Sequence, residues 1–158
     1  MAQEIERKFV VKDDSYKHVA TSHSHIIQAY IASGNGRTVR VRIRDDKAYL
    51  TIKGPSADGG LSRYEFEMEI PPKDALDLLQ IAEPGVIDKE RWLVPMADGH
   101  TFEVDEFFGE NAGLVMAEVE LGSADEPVTL PPFIDHEVTG DRRYYNSHLR
   151  LYPYTKWG

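Results

Sequence analysis

Arg37-Thr38-Val39-Arg40-Val41-Arg42-Ile43-Arg44 alternates without a break. On an extended chain, side chains two residues apart share a face, so Val39, Val41 and Ile43 lie on one side and Arg40, Arg42 and Arg44 on the other. Gly34-Asn35-Gly36 before it predicts a tight hairpin turn, because Asn-Gly supplies the positive φ angles such turns need. Asp45-Asp46 after it turns the chain back into 47–53, where Leu50 and Ile52 oppose Thr51 and Lys53. The same alternation extends outward in both directions. Strands are predicted over 2–11, 25–33, 62–70, 86–94, 101–107 and 114–121, and in 62–70 Tyr64, Phe66, Met68 and Ile70 oppose Glu65, Glu67 and Glu69. Pro71-Pro72 opens a helix over 73–82, Asp141 caps a last one near 142–150, and 13–20 is a short helix or an irregular crossing. Segments 54–60 and 122–132 read as exposed connections from their Gly and Pro content. Eight strands with short turns and a few helices predict an α+β, mainly β fold. Either a closed eight-stranded antiparallel barrel or an open sheet covered by helices fits the pattern.

At 158 residues the chain is long enough for one domain with its own core. A formal net charge of -9 opposes a nucleic-acid or membrane-surface role, which needs a basic outer face. The absence of cysteine removes disulfides and thiolate metal sites. No run approaches the ~18 apolar residues of a membrane span. The expected location is the cytoplasm, as a monomer or homodimer with neither nucleic acid nor membrane as partner.

The chemistry lies in the charged faces. Lys8, Arg40, Arg42, Arg44, Lys53, Lys89 and Arg91 recur at strand spacing, and the three neighbouring arginines repel one another unless an anion or facing carboxylates relieve them. Glu4, Glu6, Glu65, Glu67, Glu69, Glu103, Asp105, Glu118 and Glu120 form an acidic set at the same spacing. Solvated strand faces and cross-strand ion pairs explain some of these, with Glu69 and Glu103, near strand ends, the foremost structural candidates. The mixture of signs has a further reading. Mg²⁺ or Mn²⁺ can bridge carboxylate and phosphate oxygens while arginine and lysine hold the rest of a polyphosphate. Other chemistries lack their motifs: there is no Gly-Lys-Ser/Thr after the Gly34–Gly36 turn, no helical His-x-x-x-His, and no Gly-x-Ser-x-Gly elbow.

Glu4-Ile5-Glu6-Arg7-Lys8 resembles the Glu-x-Glu-x-Lys motif of the CYTH superfamily, the triphosphate tunnel metalloenzymes. The resemblance spans the chain in order, through Val39–Arg42, Thr51-Ile52-Lys53, Gly60–Arg63 with Glu65 and Glu67, Lys89-Glu90-Arg91, Phe102–Asp105, Glu118-Val119-Glu120 and Val138–Tyr144. It implies a single domain over 1–158, an eight-stranded antiparallel tunnel, and metal-dependent chemistry on triphosphates. The length and opening motif are most similar to short bacterial inorganic triphosphatases.

By that resemblance Glu4, Glu6, Glu118 and Glu120 hold the metal. Lys8, Arg40, Arg42, Lys53, Lys89 and Arg91 bind a small-molecule triphosphate, with Lys89 also stabilising charge on the transferred phosphoryl group. Glu65, Glu67 or Asp105 orients or deprotonates the attacking water, and Tyr30 is a catalytic candidate beside a lysine. Alternatives on the same fold are a class IV-type adenylate cyclase, a thiamine triphosphatase, and a polyphosphate-binding module without catalysis.

Overall fold

The computed structural model describes residues 3–157, so the expected strand start at Ala2 and the two ends of the domain lie outside the described residues. Nine strands run β1 (Gln3–Val11), β2 (Ser22–Gly34), β3 (Arg37–Arg44), β4 (Lys47–Ala57), β5 (Ser62–Ile70), β6 (Ile87–Pro95), β7 (Thr101–Phe107), β8 (Val115–Glu120) and β9 (Ile134–Glu137). They form one antiparallel sheet in the order β5-β4-β3-β2-β6-β7-β8-β1-β9. A further β1–β5 pairing, Gln3 opposite Tyr64 through Ile5 opposite Ser62, joins its ends and closes an eight-stranded barrel. The open-sheet alternative is thereby removed. β9 is the ninth strand, which the sequence does not announce. It lies along the second half of β1, on the edge that β5 leaves.

The turn chemistry follows the sequence. Asn35 and Gly36 both have positive φ, 53° and 78°, which joins β2 to β3 in a hairpin twisted to match its strands. β4 continues past the expected end at Lys53 to Ala57, with a register shift between Lys53 and Ser56. The helix expected over 73–82 is α2 (Pro72–Leu79). The expected last helix is instead a 3-10 turn at Arg142–Tyr144 and a short helix, α3 (Asn146–Leu149), split by the extended backbone of Tyr145. Asp141 does cap the first piece, accepting a hydrogen bond from the Arg143 N–H. A four-residue helix, α1 (Tyr16–Val19), occupies the crossing from β1 to β2.

Packing is inverted relative to an ordinary small barrel, whose interior is filled by apolar side chains. Here the apolar residues of β1, β6, β7 and β8 point outward. Phe9, Val94, Phe102, Val104, Ala117 and Val119 are covered there by Tyr16 of α1 and by Phe133 of the 122–133 connection. On the other side α2 lays Ala75 over Val41 and Ala48. Beyond the reach of α2 the outer face of β4 and β5 leaves Ile52, Tyr64, Phe66 and Met68 exposed. Inside, only one end is apolar: Ile87, Phe107 and Met116 meet Val138, Tyr144 and Leu149 of the C-terminal segment, which stops that end of the barrel. The rest of the interior is left to charge. Among the described residues no helix is long and apolar enough to cross a membrane.

Candidate active site

Alternation does the positioning. With one face of each strand spent on the outer core, the other face must line the barrel. The interior cavity measures about 260 Å³. Eight cations and seven carboxylates line it, a formal balance of +1 inside a chain of net charge -9. All the expected substrate-binding and metal-binding residues line it, as do Tyr30, Glu65 and Glu67. So do Arg44 and Glu103, but not Glu69.

Asp105 is the exception among the expected site residues, because it is buried behind the lining. Its Oδ2 accepts from Lys89 Nζ at 2.7 Å and from an Arg91 terminal nitrogen at 2.9 Å, while Oδ1 accepts from Arg91 Nε at 2.8 Å. Burial works against its charge, but Arg91 and Lys89 outweigh it and hold the carboxyl below its ordinary range. Its oxygens are engaged in aiming two cations into the cavity. Burial, reinforced by Arg91 and Arg42, pulls Lys89 down to about 7, because its counter-charge is shared with Arg91. A second acceptor, Asn146 Oδ1, holds Lys89 Nζ at 3.0 Å.

Around Arg40 and Arg42 the hydrogen bonding is incomplete. Arg40 is 8% exposed, its guanidinium donates to Thr51 Oγ1 at 3.3 Å and lies 4.0 Å from the Glu67 carboxylate, and its buried Nε has no partner among the described residues. Arg42 donates from Nε to Gln28 Oε1 at 2.8 Å. Burial and the charges of Arg40 and Arg91 lower its pKa to about 9, which still leaves it cationic at neutral pH. Buried, under-satisfied guanidinium donors that repel one another make an environment an anion relieves.

The carboxylates have the mirror problem. Register sets Glu6 opposite Glu120 and Glu103 opposite Glu118, and like charges directly opposed are destabilising. Burial, then the charges of Glu118 and Glu4, pushes the Glu6 carboxyl well above its ordinary value. Glu120 is also raised, by burial and by Glu4 and Glu103. Glu118 goes the other way: burial opposes its charge, but Lys8 at 3.8 Å, with Arg91 and Lys89, holds it ionised. Lys53 Nζ donates to Glu4 at 2.9 Å and lies 3.5 Å from Glu65, so Glu4 is lowered despite burial. Glu65 is raised, first by burial and then by Glu4.

Sequence reasoning passed over several lining residues. Behind the lining, Gln28, fully buried on the same face as Tyr30, links Arg42 to Asn146. Thr139, Gly140, Tyr145, Asn146 and Ser147 bring the C-terminal segment into the wall, with Lys8 Nζ 5.1 Å above the Tyr145 ring. Tyr30 is buried; Gln28 Nε2 donates to its hydroxyl at 3.5 Å and the Arg150 guanidinium lies over its ring. Parity with charged neighbours was the available signal for Gln28. Thr139 and Gly140 fall within the Val138–Tyr144 stretch of the resemblance; for Tyr145, Asn146 and Ser147 there was no signal.

A tunnel with this ordered ladder of charges has known counterparts. Residues 2–145 match the model of the CYTH domain. The chain belongs to the CYTH family. An inorganic triphosphatase of Acetivibrio thermocellus is 46% identical over 155 residues, covering 98% of this chain and 97% of the relative. One from Nitrosomonas europaea is 33% identical over 153 residues, covering 94% and 97%. A solved inorganic triphosphatase structure superposes on this CYTH domain with a TM-score of 0.66 at 29% identity, covering 96% of each chain. A protein structure from Pyrococcus horikoshii gives 0.63 at 25% identity, over 77% and 80% of the two chains.

Proposed function

We propose that the chain is a divalent-metal-dependent hydrolase of triphosphates, acting on inorganic triphosphate. The observation that carries this reading is the buried, unpartnered Nε of Arg40 beside the crowded Arg42, in the same cavity as the buried Glu6 carboxyl crowded by Glu118 and Glu4. A ligand bearing several negative charges together with a cation relieves both at once. The names of the two near-full-length relatives support the same substrate.

The donor set fits a hard divalent ion, Mg²⁺ or Mn²⁺, since it offers only carboxylate oxygens and Glu6 is raised by burial and then by its acidic neighbours. Among the described residues no three Asp, Glu or His side chains already converge as a metal cluster. Glu4, Glu6, Glu118 and Glu120 are the residues to hold the ion, with Glu4 exchanging its contact to Lys53. When bound, such an ion neutralises phosphate charge and polarises the bond to be cleaved.

The protein's own side chains do the rest. Arg40, Arg42, Arg91, Lys8, Lys53 and Lys89 bind the phosphate oxygens and take up the charge that develops on the transferred phosphoryl group. Asp105 and Asn146 position Lys89, and Asp105 also positions Arg91. Glu65, with its raised pKa and open access to the cavity, is the residue best suited to take a proton from attacking water. Glu67 accepts from Thr51 at 3.1 Å and supports the same wall. Tyr30 lines the cavity and accepts from Gln28 at 3.5 Å.

Phosphate release from tripolyphosphate with Mg²⁺ or Mn²⁺, against EDTA, tests this directly. No metal-dependent release, or conversion of ATP into cyclic AMP and pyrophosphate in its place, overturns the reading.

A further inference from the structure

A second cavity, of about 510 Å³, lies at the barrel mouth between the β2–β3 turn, the β4 extension and the C-terminal segment. Its charged lining is entirely basic: Arg37, Arg63, Arg142 and Arg150, with His148 beside them and no carboxylate. That is unexpected in a chain whose acidic residues outnumber its Lys and Arg 27 to 18. Two of these arginines are already committed. Arg150 donates to Pro84 O, Ser147 O, Ser33 Oγ and Glu83, and Arg63 clamps the carbonyls of Gly54 and Gly36. Arg37 and Arg142 are exposed, and their side chains have no hydrogen-bond or ion-pair partner among the described residues. The neighbouring carboxylate of Asp141 is taken by Arg143 at 2.7 Å, not by Arg142.

This cavity adjoins the catalytic one. Thr38, Arg63, Tyr145 and Ser147 line both, so the two spaces meet along those side chains. A linear phosphate chain engaged in the tunnel and longer than it can hold has a basic, carboxylate-free space into which to extend.

We propose that this vestibule is a second phosphate-binding site, in which Arg37 and Arg142 hold the outlying phosphates of a linear polyphosphate whose leading phosphates occupy the tunnel. The inference rests on the triphosphatase reading and adds a preference for chain length. Guanidinium forks match phosphate oxygens in pairs, and their exposure makes the contribution sensitive to salt.

The test compares tripolyphosphate with a medium-length linear polyphosphate on the wild type and on the double variant Arg37→Ala/Arg142→Ala. Both side chains are exposed and unpartnered, so folding is undisturbed. The wild type binds the longer chain with the lower KM; the variant raises that KM about tenfold, the size two exposed charge contacts supply, and leaves tripolyphosphate kinetics unchanged. An unchanged KM for the longer chain, or an equal change for both substrates, overturns the proposal. Titrating orthophosphate into the metal-free protein separates the sources. Binding that depends on Arg37 and Arg142 without any chain-length effect assigns the vestibule to a free phosphate ion and overturns the chain-length claim. If tripolyphosphate is not hydrolysed at all, the catalytic reading fails, while calorimetric binding of polyphosphate to the two metal-free proteins still decides the vestibule.

Discussion

Replacing Asp105 with Asn separates two jobs that a buried tunnel carboxylate can have. The side chains of Lys89 and Asp105 are 1% and 2% exposed, and that of Arg91 9%, so this three-residue group is almost fully withdrawn from water. The amide has the shape of the carboxylate but no charge, and it presents a donor where Asp105 accepts from both Lys89 and Arg91. Breaking a buried ion pair from one side costs about 3–5 kcal/mol, because the remaining charge stays buried without compensation. For a chain of this length each kcal/mol moves the melting temperature by about 2–4 °C, so Asp105→Asn melts roughly 6–20 °C below the wild type.

Without Asp105, Lys89 loses its proton more readily, while Arg91 stays a cation and becomes a stronger anion site. Melting in EDTA with and without tripolyphosphate therefore shows a larger ligand-induced rise in the variant than in the wild type, since a ligand stabilises the native state in proportion to its affinity. A variant that melts with the wild type, gains no more from tripolyphosphate, and loses only kcat would refute the assignment and return Asp105 to the role of orienting water.

Other outcomes follow from the same contacts. Glu6→Gln removes a group crowded by Glu118 and Glu4, so its melting temperature in EDTA is equal to or above that of the wild type, while the Mn²⁺-induced rise and metal-dependent phosphate release are lost. Asn146→Ala leaves Lys89 with a single acceptor; kcat falls about tenfold or more for a mispositioned cation, and Asn146→Gln, too long to share its place, does not rescue it. Gly140→Ala sets a methyl group 2.0 Å from Gly59 O at a φ of +82°, so scanning calorimetry registers a loss of more than about 1 kcal/mol as the 58–60 turn is pushed off the C-terminal segment. The contact that ties the β6–β7 turn to the 122–132 connection through Asp98, His100 and Glu126 has its own pH window. Asp98 is lowered to about 2, mainly by the Thr129 and His100 N–H groups, so its stabilisation is present above its ordinary 3.8 and lost as pH falls through about 2. His100 is raised by Glu126 and Asp98, so its share is full below 6.5 and lost as pH rises through its folded value; His100→Asn flattens the alkaline side of the stability profile.

The barrel was legible because its alternation is strict where both faces carry information, one for the outer core and one for the cavity. The 37–44 strand shows this in eight residues. β9 was not legible: Ile134–Glu137 is four residues long and is a strand because β1 has a free edge beyond Ile5. The helix expected near 142–150 carried the right residues, but Tyr145 adopts an extended backbone, its ring lying below Lys8 and its hydroxyl 3.3 Å from Ser56 Oγ. Tertiary contacts overrode the local preference there. In the site, charge periodicity located the lining yet could not distinguish Asp105 from Glu65. Both sit on the inward face of a strand, and only register puts Asp105 opposite Arg91 and Glu65 opposite Lys53.

An inside-out barrel concentrates its frustration in one place. The outer cores under α1, α2 and the 122–133 connection, with the apolar stopper at one end, supply the burial that holds the strands in register. That rigidity lets the interior keep Glu6 facing Glu120, Glu103 facing Glu118, and Arg40 beside Arg42. Each conflict has a different remedy: a cation for the glutamates, an anion for the arginines. A divalent ion alone shifts the lining from a formal +1 to +3 and draws in polyphosphate; a triphosphate alone adds negative charge and draws in the ion. Metal and triphosphate must therefore bind with positive, reciprocal coupling, each raising the other's affinity by the same factor.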